Sequence, residues 1–144
     1  MKNFIFKNTR INTFHVILLV VSVLFGGTIS NPVFSQNGSW TAPSSADSYK
    51  NPYKGNEKTT LVGKKLFAQM CAICHGNKGK GDGVAGMALK TRPTNLSKDI
   101  VQKQTDGAIF WKMSEGRAPM ASYKESLTEE QRWQLVNYIR ALKK

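Results

Sequence analysis

Two cysteines and a histidine lie within five consecutive residues near the middle of the 144-residue chain, Cys71-Ala-Ile-Cys74-His75. This spacing is typical of a c-type haem attachment site, in which each thiol adds to a porphyrin vinyl group and the histidine nitrogen ligates the iron. Two thioethers on one helical turn would aim the next side chain at the metal. The motif therefore predicts one covalently bound haem c.

Three other uses of these residues fit the pattern less well. A disulfide between Cys71 and Cys74 is the ordinary expectation for two cysteines in a short exported chain, but their spacing, with His75 immediately after, argues against it. A thioredoxin-type dithiol belongs at the end of a strand, and no strand pattern precedes Cys71. A structural zinc ion needs four ligands, and the chain offers only Cys71, Cys74 and His75 once the N-terminal segment that contains His15 is removed.

The number of histidines in the chain limits which residue can be the second ligand of the haem iron. The chain has 2 histidines, and loss of His15 excludes bis-histidine ligation in the mature protein. Methionine, lysine, water or an open position remain. Met113 lies on an apolar helical stripe, and Met87 lies among small apolar residues. Met120 follows Pro119 in a loop without helical periodicity, as a ligand-bearing loop should.

The N-terminus has the order of a secretory signal. Lys2, Lys7 and Arg10 precede an apolar run over residues 16–25 that ends at two glycines. We expect cleavage after Ser35, so that residues 1–35 are a signal peptide. The alternative is a retained anchor helix, although the run falls short of the ~20 apolar residues that a bilayer requires. Both alternatives predict a periplasmic or otherwise exported protein.

Charge restricts the class of partner. The formal net charge is +12, and removal of the signal takes away three positive and no negative residues. The basic residues are spread along the chain without a dense run, so nucleic acid is not an expected partner. An exported basic protein is more suited to an acidic protein face or an anionic membrane surface.

Residues 36–58 and residues 59–144 differ in composition. The first segment is rich in Asn, Gly, Ser and Pro without apolar periodicity, and predicts a flexible linker or arm. The second predicts an all-α domain, because helical periodicity is present and no alternating strand pattern is found.

Three helices and one loop are predicted in the second segment. One helix starts near Thr60 and leads into Cys71, one covers Asp106 to Met113, and the last begins at a capping box of Thr128 with Gln131. The last helix should bury Leu135, Val136, Ile139 and Leu142. The glycine-rich residues 76–83 should form a loop.

The chain resembles the single-haem class I cytochromes c of bacteria over residues 61–142. The resemblance lies in Gly63 and Phe67, the cysteine motif, Gly79-Lys-Gly-Asp-Gly83, the loop Gly116 to Met120, and Leu127-Thr-Glu-Glu-Gln-Arg-Trp-Gln-Leu-Val-Asn-Tyr-Ile139. It implies a small helical domain wrapped around one haem, with His75 and Met120 as the axial ligands. It also implies a helix crossing at Gly63, with Phe67 near Leu135 and Tyr138, and a Pro93 carbonyl that orients the His75 ring. The family often has proline after the methionine, where this chain has Ala121.

The predicted function is one-electron transfer rather than catalysis, because an iron with two protein ligands has no vacant position. A haem subunit fixed in a membrane oxidoreductase complex and a peroxidase or sensor with an open iron site are the alternatives. The residues expected near the haem pocket are Leu66, Phe67, Leu89, Ile109, Phe110, Trp111, Tyr123 and Trp133, with Arg117, Trp111 and Tyr123 as candidates for the propionates. A basic surface that steers acidic redox partners is expected from Lys78, Lys80, Lys90, Arg92 and Lys124.

Overall fold

The computed structural model describes residues 39–143, and the predicted signal peptide lies outside the described residues. One 3-10 helix covers Ser44–Ser48. Six α-helices follow in the described part of the chain: α1 Glu57–Met70, α2 Ala72–His75, α3 Val84–Met87, α4 Asp99–Gln102, α5 Asp106–Glu115 and α6 Glu129–Ala141. Within residues 39–143 the only β-type pairing is an isolated bridge between Arg117 and Met120. The all-α class predicted from the sequence is confirmed.

The core is built on the crossing of α1 and α6. A Cβ atom on Gly63 would overlap the carbonyl oxygen of Gln134 and lie 2.5 Å from its carbonyl carbon, so the two backbones touch at this glycine. Next to the crossing, the Phe67 and Tyr138 rings have centroids 5.1 Å apart. Phe67 and Leu135 are almost fully buried. The structure thus has the helix crossing that the resemblance implied.

Side-chain caps fix where the three long helices begin. Asn56 Oδ1 accepts a hydrogen bond from the Thr59 N–H at 3.1 Å, which starts α1 a few residues before the predicted point. Thr105 Oγ1 accepts a hydrogen bond from the Ala108 N–H at 3.1 Å and caps α5. Thr128 and Gln131 form the predicted capping box of α6. These bonds satisfy amide groups that a helix leaves without partners at its N-terminus.

The sequence left a flexible linker and an arm as alternatives for this segment, and residues 39–56 form an arm that is packed on the helices. Ala46, in the 3-10 helix, is fully buried. The Asn51 side chain donates to Asp106 Oδ2 at 3.0 Å and to Asn137 Oδ1 at 2.8 Å. The arm therefore packs on α5 and α6. Its contacts come from Ala46, a few amide groups and isolated aromatic rings such as Tyr49, which meets Phe110 edge-on. Residues spaced in this way leave no apolar periodicity in the sequence.

The segment between α3 and α5 is held to α6 by polar side chains. Gln102 Nε2 donates to the Leu96 carbonyl at 2.7 Å and to the Ile139 carbonyl at 2.8 Å. Arg140 pairs with Asp106 at 2.7 Å and donates to the carbonyls of two further residues, Gln102 and Gln104. Within residues 39–143 no helix combines the length and the apolar character needed to cross a membrane.

Candidate haem site

The cysteine motif forms a single helical turn at the end of α1. Cys71 is the C-cap of α1, and its carbonyl accepts from the N–H groups of Cys74 at 3.1 Å and His75 at 2.8 Å. Both thiols are free and half-buried. Two unpaired thiols and an imidazole on one turn are the donor set that covalent haem attachment requires. Among residues 39–143, no three or more Cys, His, Asp or Glu side chains are grouped so that they could hold a bare metal ion.

The environment of Cys71 argues against a redox dithiol. Burial raises the pKa of the Cys71 thiol to about 11, and the nearby Cys74 acts in the same direction. A reactive dithiol needs a thiol pKa near or below neutral, because the thiolate is the nucleophile. Cys71 is instead neutral at pH 7.

His75 is held as a neutral ring. Burial lowers the pKa of His75, and a backbone hydrogen-bonding interaction with Thr94 acts in the opposite direction. Nδ1 is buried without a well-formed hydrogen bond. Neutral imidazole is the form that ligates iron. The backbone group that acts on the ring belongs to Thr94, one residue after the predicted Pro93, whose carbonyl faces Gly81 instead.

The glycine-rich loop brings α3 directly against the motif. A Cβ atom on Gly86 would lie 2.9 Å from the Cys74 carbonyl carbon and would overlap its oxygen. The Gly81 N–H donates to the His75 carbonyl at 2.8 Å. Residues 76–83 form the predicted loop. The loop brings the backbone at Gly86 so close to the Cys74 carbonyl that no side chain fits at this position.

The segment Gly116 to Tyr123, here called the ligand loop, lies beside the motif. The Tyr123 hydroxyl donates to the Met70 carbonyl at 3.4 Å, directly before Cys71. Burial raises the pKa of Tyr123, and negative charge on Cys71 and Cys74 acts in the same direction. The loop is ordered by a pair of backbone hydrogen bonds between Arg117 and Met120, at 2.9 and 3.0 Å.

The three methionine candidates have different environments. Met113 is 5% exposed and belongs to the core cluster, so its sulfur could not ligate a haem iron without disrupting the core. Met87 is 49% exposed at the end of α3. Met120 is half-buried in the ligand loop and packs against the core cluster.

A cytochrome c family model matches residues 61–143 of the chain. The chain belongs to the cytochrome c family. Members of this family carry covalently attached haem c and transfer electrons through it, so this cytochrome has the cofactor that its motif predicted. No curated protein matches it in sequence.

Several solved structures are similar to this cytochrome, and two of the three described here are themselves cytochromes. A chain of a reducing HAO-like protein complex from Kuenenia stuttgartiensis is 25% identical with a TM-score of 0.59, over 65% of this chain and 47% of that one. The match thus spans about half the length of the chain in that complex. The c-type cytochrome KustC0563 is 34% identical with a TM-score of 0.50, over 57% of this chain and 98% of its own. Cytochrome cL of Methylophaga aminisulfidivorans, 20% identical with a TM-score of 0.53 over 76% and 71% of the chains, shares the fold.

The predicted pocket residues divide into two groups in this cytochrome. Phe67 tilts toward the His75 ring, with centroids 6.4 Å apart, and Tyr123 lies beside the cysteines. Leu66 packs against the core cluster, Ile109 is part of it, and Leu89 is half-buried. Phe110, Trp111 and Trp133 were expected near the haem, but they line a separate cavity that none of the four proposed haem residues lines. Helical spacing shows that a residue is apolar and inward-facing without showing toward which cavity it points.

Sequence reasoning missed three residues near the ligand loop and α6. The Trp40 ring lies under Arg117, at 5.1 Å, and under Lys112, at 5.7 Å. Burial and the charge of Arg117 lower the pKa of Lys112. Arg132 is buried, although it occupies a position in a capped helix that reads as solvent-facing. No sequence signal marks these contacts, because each joins segments distant along the chain.

Proposed function

We propose that this protein is an exported one-electron carrier of the bacterial class I type, with a single haem c held by thioethers to Cys71 and Cys74. His75 and Met120 are its proposed axial ligands. One observation supports this assignment above all others. The ligand loop lies against the end of α1, where Tyr123 contacts the residue before Cys71, and Met120 is the half-buried methionine in that loop.

The axial pair follows from what each side chain is free to do. His75 is half-buried and its pKa is lowered by burial, and His15 lies outside the described residues. Met120 has a short loop that two backbone hydrogen bonds hold, whereas Met113 is committed to the core. The thioether of methionine is an established partner of histidine at haem iron and raises the reduction potential.

Bound haem supplies a one-electron couple between ferric and ferrous iron. The imidazole of His75 and the sulfur of Met120 would hold the haem iron, and iron held by two protein side chains would have no position left for a substrate. The apolar core around Phe67 and Leu135 excludes water and favours the less charged ferrous form. The residues therefore serve to hold and shield the haem, which suits a carrier better than a peroxidase.

An absorption spectrum of the holoprotein, exported together with its haem-attachment machinery, tests this assignment. We expect covalent haem and a ferric iron–sulfur charge-transfer band. Met120→Ala should abolish the band, whereas the matched variant Met87→Ala should retain it. A band that survives Met120→Ala, or one lost in Met87→Ala, would assign the sulfur elsewhere. A wild-type protein without the band would favour the open-site alternative.

Partner recognition is proposed to use the basic surface formed by Lys78, Lys80, Lys90, Arg92 and Lys124. All five side chains are exposed. Lys78 and Lys80 lie in the loop directly after His75, so they are close to the attachment site. An acidic face on the partner would be attracted to this surface and would associate faster at low salt.

Charge reversal tests this surface. Lys78→Glu with Lys80→Glu should slow reduction by the partner at low salt and flatten the salt dependence. Lys54→Glu with Lys58→Glu is the control, because it makes the same charge change near the start of α1. This helix is about 20 Å long and the cysteine motif lies at its other end. Equal effects of the two double variants would show a response to net charge alone.

Export of the mature protein is also part of the proposal. Sequencing the N-terminus of the exported protein should give Gln36 as its first residue, whereas an intact apolar segment would favour a membrane-anchored form.

The second candidate function, a fixed haem subunit, is favoured by the likeness to a chain of a reducing HAO-like complex. Co-purification of a stoichiometric oxidoreductase partner would select the subunit, and isolation as a monomer that exchanges between partners would select the carrier.

A further inference from the structure

A cavity of about 460 Å³ lies between the arm, α5 and α6. Its apolar part is aromatic. Phe110 and Trp133 stack with ring centroids 4.0 Å apart and an interplanar angle of 19°, and Tyr49 meets Phe110 edge-on at 6.1 Å. Neither the cysteine motif nor Met120 lines this cavity, so it is distinct from the proposed haem site.

The cavity is also lined by a buried cation without an acidic partner. Arg132 is 8% exposed. A guanidinium has five N–H donors; Nη1 of Arg132 donates to Ser114 Oγ at 2.5 Å, and the buried Nε has no hydrogen-bond partner. The guanidinium lies 4.7 Å over the Phe110 ring. Within residues 39–143 the three ion pairs found involve other side chains.

A buried charge without a counter-ion is unfavourable, because the charge has lost its hydration without gaining an opposite charge. The contact with Phe110 and the Ser114 hydroxyl compensates only in part. A carboxylate would pair with the planar fork of Arg132 through two hydrogen bonds and would supply the missing opposite charge.

The remaining charged groups in the cavity limit the ligand to a single negative charge. Lys50 and Lys124 add to Arg132, while Glu115 and Glu129 oppose them. Both acids have partners of their own: Glu115 lies 3.9 Å from Lys124, and Glu129 accepts from the Trp133 indole N–H at 3.4 Å. The lining thus has a formal excess of one positive charge.

We propose that this cavity binds a small monocarboxylate with a flat apolar body, with the carboxylate on Arg132 and the body against the aromatic rings. The volume lies within the range of small-molecule sites. Aromatic side chains favour offset or edge-on contact with a flat ligand. This site is independent of the proposed electron-carrier function.

Protein-observed NMR of the ferrous holoprotein tests the site with benzoate as the probe. Benzoate should shift the Trp111 and Trp133 indole signals and the Arg132 Nε–H signal with one saturable isotherm. Benzyl alcohol, which has the same ring and no charge, should bind at least tenfold more weakly. Arg132→Gln should weaken benzoate at least tenfold, whereas Lys65→Gln, on an exposed part of α1, should leave its affinity unchanged.

Equal affinity for benzoate and benzyl alcohol, or unchanged benzoate binding in Arg132→Gln, would overturn the proposal. Because a buried arginine variant can fail to fold, the wild-type protein provides a second measurement. Acetate should displace benzoate, and acetamide at the same concentration should not. Equal competition by the two would contradict a carboxylate site. The haem spectrum reports separately on the proposed function, so failure of one inference does not affect the other.

Discussion

Substitution of Gly63 by alanine tests the helix crossing that supports the haem site. The added Cβ atom would lie 2.5 Å from the Gln134 carbonyl carbon and 3.2 Å from the Leu135 nitrogen. Optimal separation of non-bonded carbon atoms is about 3.5–4.0 Å. α1 and α6 must therefore separate by about 1 Å, and the obstacle is backbone that cannot rotate away as a side chain can.

The expected loss of stability combines two opposing effects. Overpacking a close-packed core costs about 1–3 kcal/mol, and we expect the upper end because the contact is with helix backbone. Replacement of glycine by alanine within a helix recovers up to about 1 kcal/mol. The net loss in the free energy of unfolding is about 2 kcal/mol, which lowers the melting temperature by roughly 8–16 °C for a domain of this size.

Urea unfolding of the holoprotein, followed by far-UV circular dichroism, measures this loss. Lys65→Ala is the matched control, because it adds the same alanine to an exposed position of α1 and should change stability by less than about 0.5 kcal/mol. A Gly63→Ala protein as stable as the wild type would refute the close backbone contact and with it the explanation for this glycine.

Three further substitutions test contacts between distant segments. Asn137→Ala removes a buried amide that bonds to the arm and to α1, and should lower the free energy of unfolding by about 2 kcal/mol and expose residues 39–55 to limited proteolysis. Arg140→Gln breaks the half-buried pair with Asp106 and should lower urea stability by about 2 kcal/mol. Trp40→Ala removes the ring under Arg117, worth about 1 kcal/mol. If that contact steadies the ligand loop, the pH at which the ferric iron–sulfur band disappears should fall by about 0.7 unit.

Two of these variants have a control variant, and Asn137→Ala is compared with the wild type. Lys143→Gln, at the exposed end of the chain, should match the wild type where Arg140→Gln does not. Lys50→Ala, in the arm but away from the ligand loop, should leave the band unchanged where Trp40→Ala shifts it. An arm that resists protease equally in wild type and Asn137→Ala would show that other contacts hold it. A band with the same pH midpoint in Trp40→Ala would separate the arm from the ligand loop.

Local patterns predicted most of the helical framework correctly. The caps at Thr105 and Thr128 depend on bonds within a few residues, so the sequence contains both partners of each bond. The packing of the arm could not be predicted from local patterns, for the complementary reason. Its order depends on Asn51 meeting Asp106 and Asn137, which lie 55 and 86 residues away.

The sequence by itself determined the chemistry of this protein, because the spacing of Cys71, Cys74 and His75 is a local property that requires no fold to be recognised. The count of histidines likewise limited the second ligand, since a count does not depend on how the chain folds. Only the tertiary structure decided that the ligand loop lies beside the cysteines and that Met113 belongs to the core. It alone revealed the buried Arg132 and its cavity. Burial and the distance between remote segments follow from how helices pack, and helical periodicity specifies an inward face without naming what that face meets.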